Sequence, residues 1–267
     1  MRFKGGVTLA VAALLMAACA SLPEAVPEAG ATLTGYLPDD TLQNLAAAVP
    51  PAPTVGSIQD HTDHVASDAY RRLEGGDRWL MATAHAELRP PLAAQHFDCA
   101  VGARMTARPM PALTRLMTRL QIDTAAVGTI LQQRSPRRRP AAVDAQRRVC
   151  VRLTGPGRES PSWPSTAAAL GTAYGDLFSQ LVPERSEAID RIGREIGLSR
   201  AICALEWPGD VAAGAGLGHS VYAAASATPA FRDDLALARA EVSAARMPDL
   251  ESPGCAAERQ LFPSTAR

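Results

Sequence analysis

Ser199-Arg200-Ala201-Ile202-Cys203-Ala204-Leu205-Glu206-Trp207-Pro208-Gly209-Asp210 is the stretch on which the reading of this chain turns. It lies between two helical patterns. Upstream, Ile189, Ile192 and Ile196 recur at helical spacing after Ser186, a natural N-cap, and Gly197 is placed to end that helix. Downstream, Pro208 opens a small-residue helix to about Ala225, in which Gly214, Gly216 and Gly218 permit close helix contact. A carboxylate and an arginine therefore meet at a junction of two helices.

Further out the pattern stays helical. Leu113, Leu116, Met117 and Leu120 share one helix face, as do Leu170, Tyr174, Leu177, Phe178 and Leu181. Pro229 opens what reads as the last helix, with Phe231, Leu235, Ala238 and Val242 in register. Helical periodicity begins near His64. Aromatics are only 4% of the 267 residues, and β-branched runs with two-residue alternation are absent, so an all-α domain is expected. The formal net charge is zero, which argues against a nucleic-acid binder.

The N-terminus reads as an address. Arg2 and Lys4 precede an apolar run from Val7 to Met16, a secretory signal pattern too short to span a membrane. Residues 1–20 are expected to be removed, either before Ser21 or, if Ala17-Ala18-Cys19 serves as a lipobox, before a lipidated Cys19. No later stretch is long and apolar enough to cross a membrane, so the expected location is the periplasm, soluble or lipid-anchored. Residues 21–57, with Pro50, Pro51 and Pro53, read as an extended Pro/Ala-rich arm, and residues 58–267 as one helical domain. Beyond Cys19 there are four cysteines, Cys99, Cys150, Cys203 and Cys255, which favours two disulfides in an oxidising compartment. Three pairings are open on sequence. The working expectation is Cys99 with Cys150 and Cys203 with Cys255. No Cys/His cluster suggests a metal site, and no cofactor is called for.

Two further segments belong with the opening one: Gln132 through Pro140, carrying Arg134, Arg137, Arg138 and Arg139, and Ser162-Trp163-Pro164-Ser165-Thr166-Ala167 at the mouth of a helix. Arginines beside a helix N-terminus make an anion site, because the first backbone N–H groups lack partners and guanidinium offers paired donors.

Together the three segments resemble the bacterial class A acid phosphatases of the type 2 phosphatidic acid phosphatase superfamily. That family shows Lys, six residues, Arg-Pro; then Pro-Ser-Gly-His; then Ser-Arg, five residues, His, three residues, Asp. Arg139-Pro140, Pro164-Ser165, Ser199-Arg200 and Asp210 fall at matching spacings, and Tyr36-Leu37-Pro38, Gly56-Ser57, Arg78-Trp79 and Ile202-Cys203 extend the likeness from about Tyr36 to Cys255. The resemblance implies a single all-α domain of the acid phosphatase and vanadium haloperoxidase-like type, a phosphate or small phosphate ester as ligand, and a tendency to form homo-oligomers.

It also locates departures. In the family the third-motif His attacks phosphorus, the Asp four residues on orients it, and the His of Pro-Ser-Gly-His protonates the leaving alcohol. Here Glu206 stands at the nucleophile position and Ala167 at the general-acid position. Gln132 replaces the Lys, and Thr166 replaces the Gly whose backbone approaches phosphate. Arg139, Ser165, Arg200 and Asp210 are kept, and Arg139 and Arg200 are expected to pair with Glu206. The expected protein is a pseudo-phosphatase retaining part of a phosphate cradle. The competing expectation is a divergent ester hydrolase using Glu206 or Asp210. Of the five histidines, His61, His64, His85, His96 and His219, none is expected to replace those lost.

Overall fold

The computed structural model describes residues 33–247 and 250–262. The segment read as a signal, Cys19 and the start of the stretch read as an arm lie outside these residues. The described chain is all-helical, with one isolated bridge between Ala103 and Arg246. In chain order the helices are α1 (Asp39–Ala48), α2 (Ile58–Ala69), α3 (Asp77–Ala84), α4 (Asp98–Val101), α5 (Pro111–Arg134), α6 (Pro140–Val143), α7 (Gly155–Glu159), α8 (Thr166–Leu181), α9 (Ser186–Ile202), α10 (Pro208–Ser226), α11 (Pro229–Ala245) and α12 (Pro253–Leu261).

α8 is the hub. Its residues from Ala168 to Gly175 are all buried, as are Leu177, Phe178 and Leu181. A helix apolar on every side belongs in the centre of a bundle, and α9, α10 and α5 pack around this one. The apolar stripes read from sequence line the main core: Leu116, Met117 and Leu120 of α5, Tyr174 and Phe178 of α8, Ile189 and Ile196 of α9, and Phe231 and Ala238 of α11 are each fully buried. Burial of each Leu, Ile, Met or Phe side chain among them contributes about 1.5–3 kcal/mol.

The approach of α10 to α8 depends on glycine. A Cβ on Gly214 would stand 2.2 Å from the Ser165 carbonyl oxygen, and one on Gly218 would stand 2.3 Å from that of Ala169. Gly216 plays no such part: a Cβ there meets nothing within 4 Å.

Several expectations change. The stretch read as an extended arm contains α1, whose Leu42 and Ala46 pack with Val127 and Leu131 of α5; only the proline-rich piece after it is extended. The helix expected from near His64 is α2, and it begins earlier, at Ile58, because Ser57 caps it by accepting the Asp60 N–H. Gly197 does not end α9. It lies inside it, where a Cβ would come 3.2 Å from both Ala168 Cβ and Val211 Cγ1, so its lack of a side chain serves packing. α11 is not the last helix: Ser252 caps α12 and Pro253 opens it.

The disulfide expectation is overturned. Cys99 pairs with Cys255 and Cys150 with Cys203, at Cα separations of 5.4 and 5.1 Å. α12 folds back onto α4, carrying Cys255 to Cys99. Cys150 and Cys203 share a small core with Trp79, Ala82, Ile202 and Leu205 at the end of α9. Tertiary packing nests the two bridges, whereas the expectation placed them side by side.

A candidate anion cradle with an internal carboxylate

The cradle forms where three helix ends converge. Ser165 is the N-cap of α8: its Oγ accepts the Ala168 N–H at 2.9 Å, and its own N–H donates to the Asp210 carbonyl in the first turn of α10. Between α9 and α10 the chain reverses through Ala204, held at φ 55°, a left-handed geometry that costs a non-glycine residue about 1–2 kcal/mol. The Leu205 N–H closes the turn onto the Arg200 carbonyl at 3.1 Å. This reversal sets Glu206 facing Arg200. Arg139 comes from the N-cap of α6, with its guanidinium held by the Leu205 and Pro161 carbonyls and the Ser160 hydroxyl.

Glu206 sits among these groups, 3% exposed. Its Oε1 is 3.2 Å from Arg200 Nη2 and 3.4 Å from Arg139 Nη1, and its Oε2 accepts the Ser165 hydroxyl. Burial alone would raise its pKa. The charges of Arg200 and Arg139, with the Ser165 hydrogen bond, outweigh that cost and hold the carboxyl below its ordinary value. Two guanidinium charges against one carboxylate leave a formal balance of plus one.

Asp210 does not join this group. Its Oδ1 meets Arg137 Nη1 at 2.7 Å, and its Oδ2 accepts the Trp207 N–H at 2.9 Å, closing the first turn of α10. Arg137 also binds Asp63 at 2.7 Å and Asp60 at 2.8 Å. One guanidinium thus ties α2 to α10. Burial, opposed mainly by Arg137, pushes Asp210 up to about 6. Asp60, nearer solvent, is held below its ordinary range: the Gly56 N–H and Arg137 outweigh its desolvation. Arg137, by contrast with its solvent-facing neighbour Arg138, is fully enclosed. Sequence reading missed Asp60 and Asp63 because α2 was taken to begin after them; Ser57 followed by carboxylates one turn apart was the available signal.

The remaining positions fall around the cradle. Thr166 directs its methyl at Gly128 of α5, where a Cβ would stand 2.1 Å from Thr166 Cγ2. Its side chain thus goes into a helix contact rather than over the anion site. Ala167 packs against the main core. Gln132 is half-buried in the last turn of α5, and among the described residues its side chain makes no hydrogen bond to the cradle. Ser199, beside Arg200, points elsewhere, to Arg78 at 3.0 Å and buried His85 at 2.8 Å. Burial, with help from His96 and Arg78, drives His85 down to about 3, so it stays neutral. His64 stacks on Trp207 with ring centroids 4.2 Å apart. His219 pairs with Asp176 at 2.8 Å. Among the described residues no group of three or more His, Cys, Asp or Glu side chains is arranged to hold a metal ion, and no helix is long and apolar enough to cross a membrane.

No protein-family profile matches the chain. Curated proteins do. It is 31% identical over 200 residues to an acid phosphatase of Zymomonas mobilis, covering 73% of this chain and 74% of that one. It is 28% identical over 207 residues to a non-specific acid phosphatase of Providencia stuartii, covering 77% and 84%. A non-specific acid phosphatase of Salmonella typhimurium is 28% identical over 172 residues, 64% and 69% of the two chains.

Proposed function

The chain belongs to the bacterial class A acid phosphatase family, and from that membership we propose that it is an exported pseudo-phosphatase, which keeps part of the family's phosphate cradle but fills it with its own carboxylate. The observation that carries the proposal is Glu206, buried at the position of the attacking histidine and bound by Arg139, Arg200 and Ser165. A carboxylate fully engaged with two guanidiniums is a poor nucleophile, and its charge repels the incoming phosphate ester. Ala167 has no proton to give a leaving alcohol. Loss of a nucleophile removes several orders of magnitude in rate, and loss of the acid on its own about a hundredfold or more.

What remains is an electrostatic trap with a net positive charge and a displaceable internal anion. The role that fits is binding of phosphate or a small phosphate ester outside the cytoplasm, following export directed by the segment before Ser21. Assay with a chromogenic phosphate ester across acidic pH tests the reading. Turnover should lie several orders of magnitude below that of the active relatives. Turnover within tenfold of theirs, abolished by Glu206→Ala, would establish the competing reading of a divergent hydrolase.

A further inference from the structure

Behind the cradle, α8 forms the floor and α9 and α10 the walls of a second cavity of about 290 Å³. Its walls are apolar: Ala168 on the floor, Gly197, Leu198 and Ala201 on one side, Pro208, Val211 and Ala215 on the other. Three hydrogen-bond donors also line it, the Tyr70 and Thr172 hydroxyls and the Arg194 guanidinium. None of the three side chains has a hydrogen-bond or ion-pair partner among the described residues. Thr172 is 7% exposed as a residue, and its hydroxyl is not among the sealed unpaired atoms of the core, so it is open to the cleft. An open donor there is free to pair with an incoming acceptor.

The charge pattern selects the ligand. No acidic side chain lines this cleft. An adjoining cavity of about 180 Å³ shares Thr172, Gly193, Arg194 and Ala215 with it, and there the carboxylates Asp176 and Asp190 appear. Both are already engaged, Asp176 by His219 and Asp190 by the Ser179 hydroxyl at 2.6 Å. An apolar cleft with an unpaired arginine and two idle hydroxyls at its edge suits a molecule with an aliphatic body and an anionic head. We propose that this cleft binds a medium-chain aliphatic carboxylate, its chain between α9 and α10 and its carboxylate on Arg194 and Thr172, which line both cavities. The site is independent of the cradle and of the pseudo-phosphatase reading.

Titration calorimetry of the full chain with octanoate, against octylamine and inorganic phosphate, provides the test. Octanoate should bind saturably at one site. Arg194→Gln, at an exposed and unpaired residue that folding does not need, should weaken it about tenfold or more. Ala215→Leu should abolish it by filling the cleft. Inorganic phosphate should not compete. The proposal is overturned if octanoate gives no saturable heat, or if octylamine binds as well or better. It is equally overturned if Arg194→Gln has no effect, or if added phosphate removes octanoate binding.

Discussion

Oε1 of Glu206 stands 3.2 Å from Nη2 of Arg200, six residues back along the chain, across the turn at Ala204. On the proposed reading, this acidic side chain holds the place of an incoming anion, and the folded protein carries its own competitor.

Removing that competitor should open the cradle at the expense of stability. Glu206→Ala leaves Arg139 and Arg200 enclosed without their counter-charge, a defect of about 3–5 kcal/mol. Phosphate should then act as the missing anion. At a hundredfold excess over its dissociation constant, it restores about 2.7 kcal/mol. Thermal unfolding of wild type and variant with and without phosphate reads this directly. A wild-type midpoint that rises with phosphate as much as the variant's would show the cradle open already.

Arg137 should be among the least replaceable residues of the fold. It satisfies Asp60, Asp63 and Asp210 at 2.7–2.8 Å while being 7% exposed. Arg137→Met leaves three carboxylates facing one another and should cost about 3–5 kcal/mol. Arg137→Lys should recover only a minor part, since one compact ammonium cannot span the separate positions from which Nη2 reaches Asp60 and Nη1 reaches Asp63 and Asp210. Hydrogen exchange should show α2 losing protection first, because Arg137 is its tie to α10. Uniform loss across all helices would refute that tie.

Asp210 should give the protein a pH dependence opposite to that of an ordinary salt-bridged carboxylate. Its folded pKa of about 6 lies above the ordinary aspartate value of 3.8, so folding takes up a proton between those values. The stability it contributes is full below about 4 and declines as pH rises through about 6. Glu206 and Asp60, held low, act the other way and lose their contribution only in more acidic solution. Asp210→Asn isolates the effect: the stability of wild type minus variant should fall from pH 4 to pH 6 and then level. A difference that is flat or rises with pH contradicts the assignment.

The two bridges should contribute unequally. Cys99–Cys255 spans 156 residues and Cys150–Cys203 spans 53. On a chain-entropy argument their removal costs about 5 and about 4 kcal/mol at most. Cys99→Ser should therefore lower the denaturation midpoint more than Cys150→Ser. Non-reducing peptide mapping should find these two links, and any Cys99–Cys150 peptide in the native protein would refute the fold at α12.

What could be read from sequence was local. The stripes of α5, α8, α9 and α11 announce themselves by periodicity, and the cradle by short motifs at helix ends, so Arg139, Ser165, Arg200 and Glu206 were found together. What escaped was long-range. Asp60 and Asp63 reach Arg137 across more than 70 residues, with nothing in either segment to name the other. Gly197 carries the same letter whether it stops a helix or lets two helices touch; only the positions of Ala168 and Val211 decide. The cysteines failed for that reason too, since their pairing follows from α12 folding back.

The nesting of one bridge within the other has a consequence for how the protein is made. Were thiols oxidised in the order of synthesis, Cys99 and Cys150 would be joined first, a link absent from the folded molecule. The chain would then have to exchange partners before α12 could dock, a step for a disulfide isomerase rather than an oxidase. Refolding of reduced protein should accordingly stall on the Cys99–Cys150 species with oxidant alone and proceed when an isomerase or a thiol buffer is added.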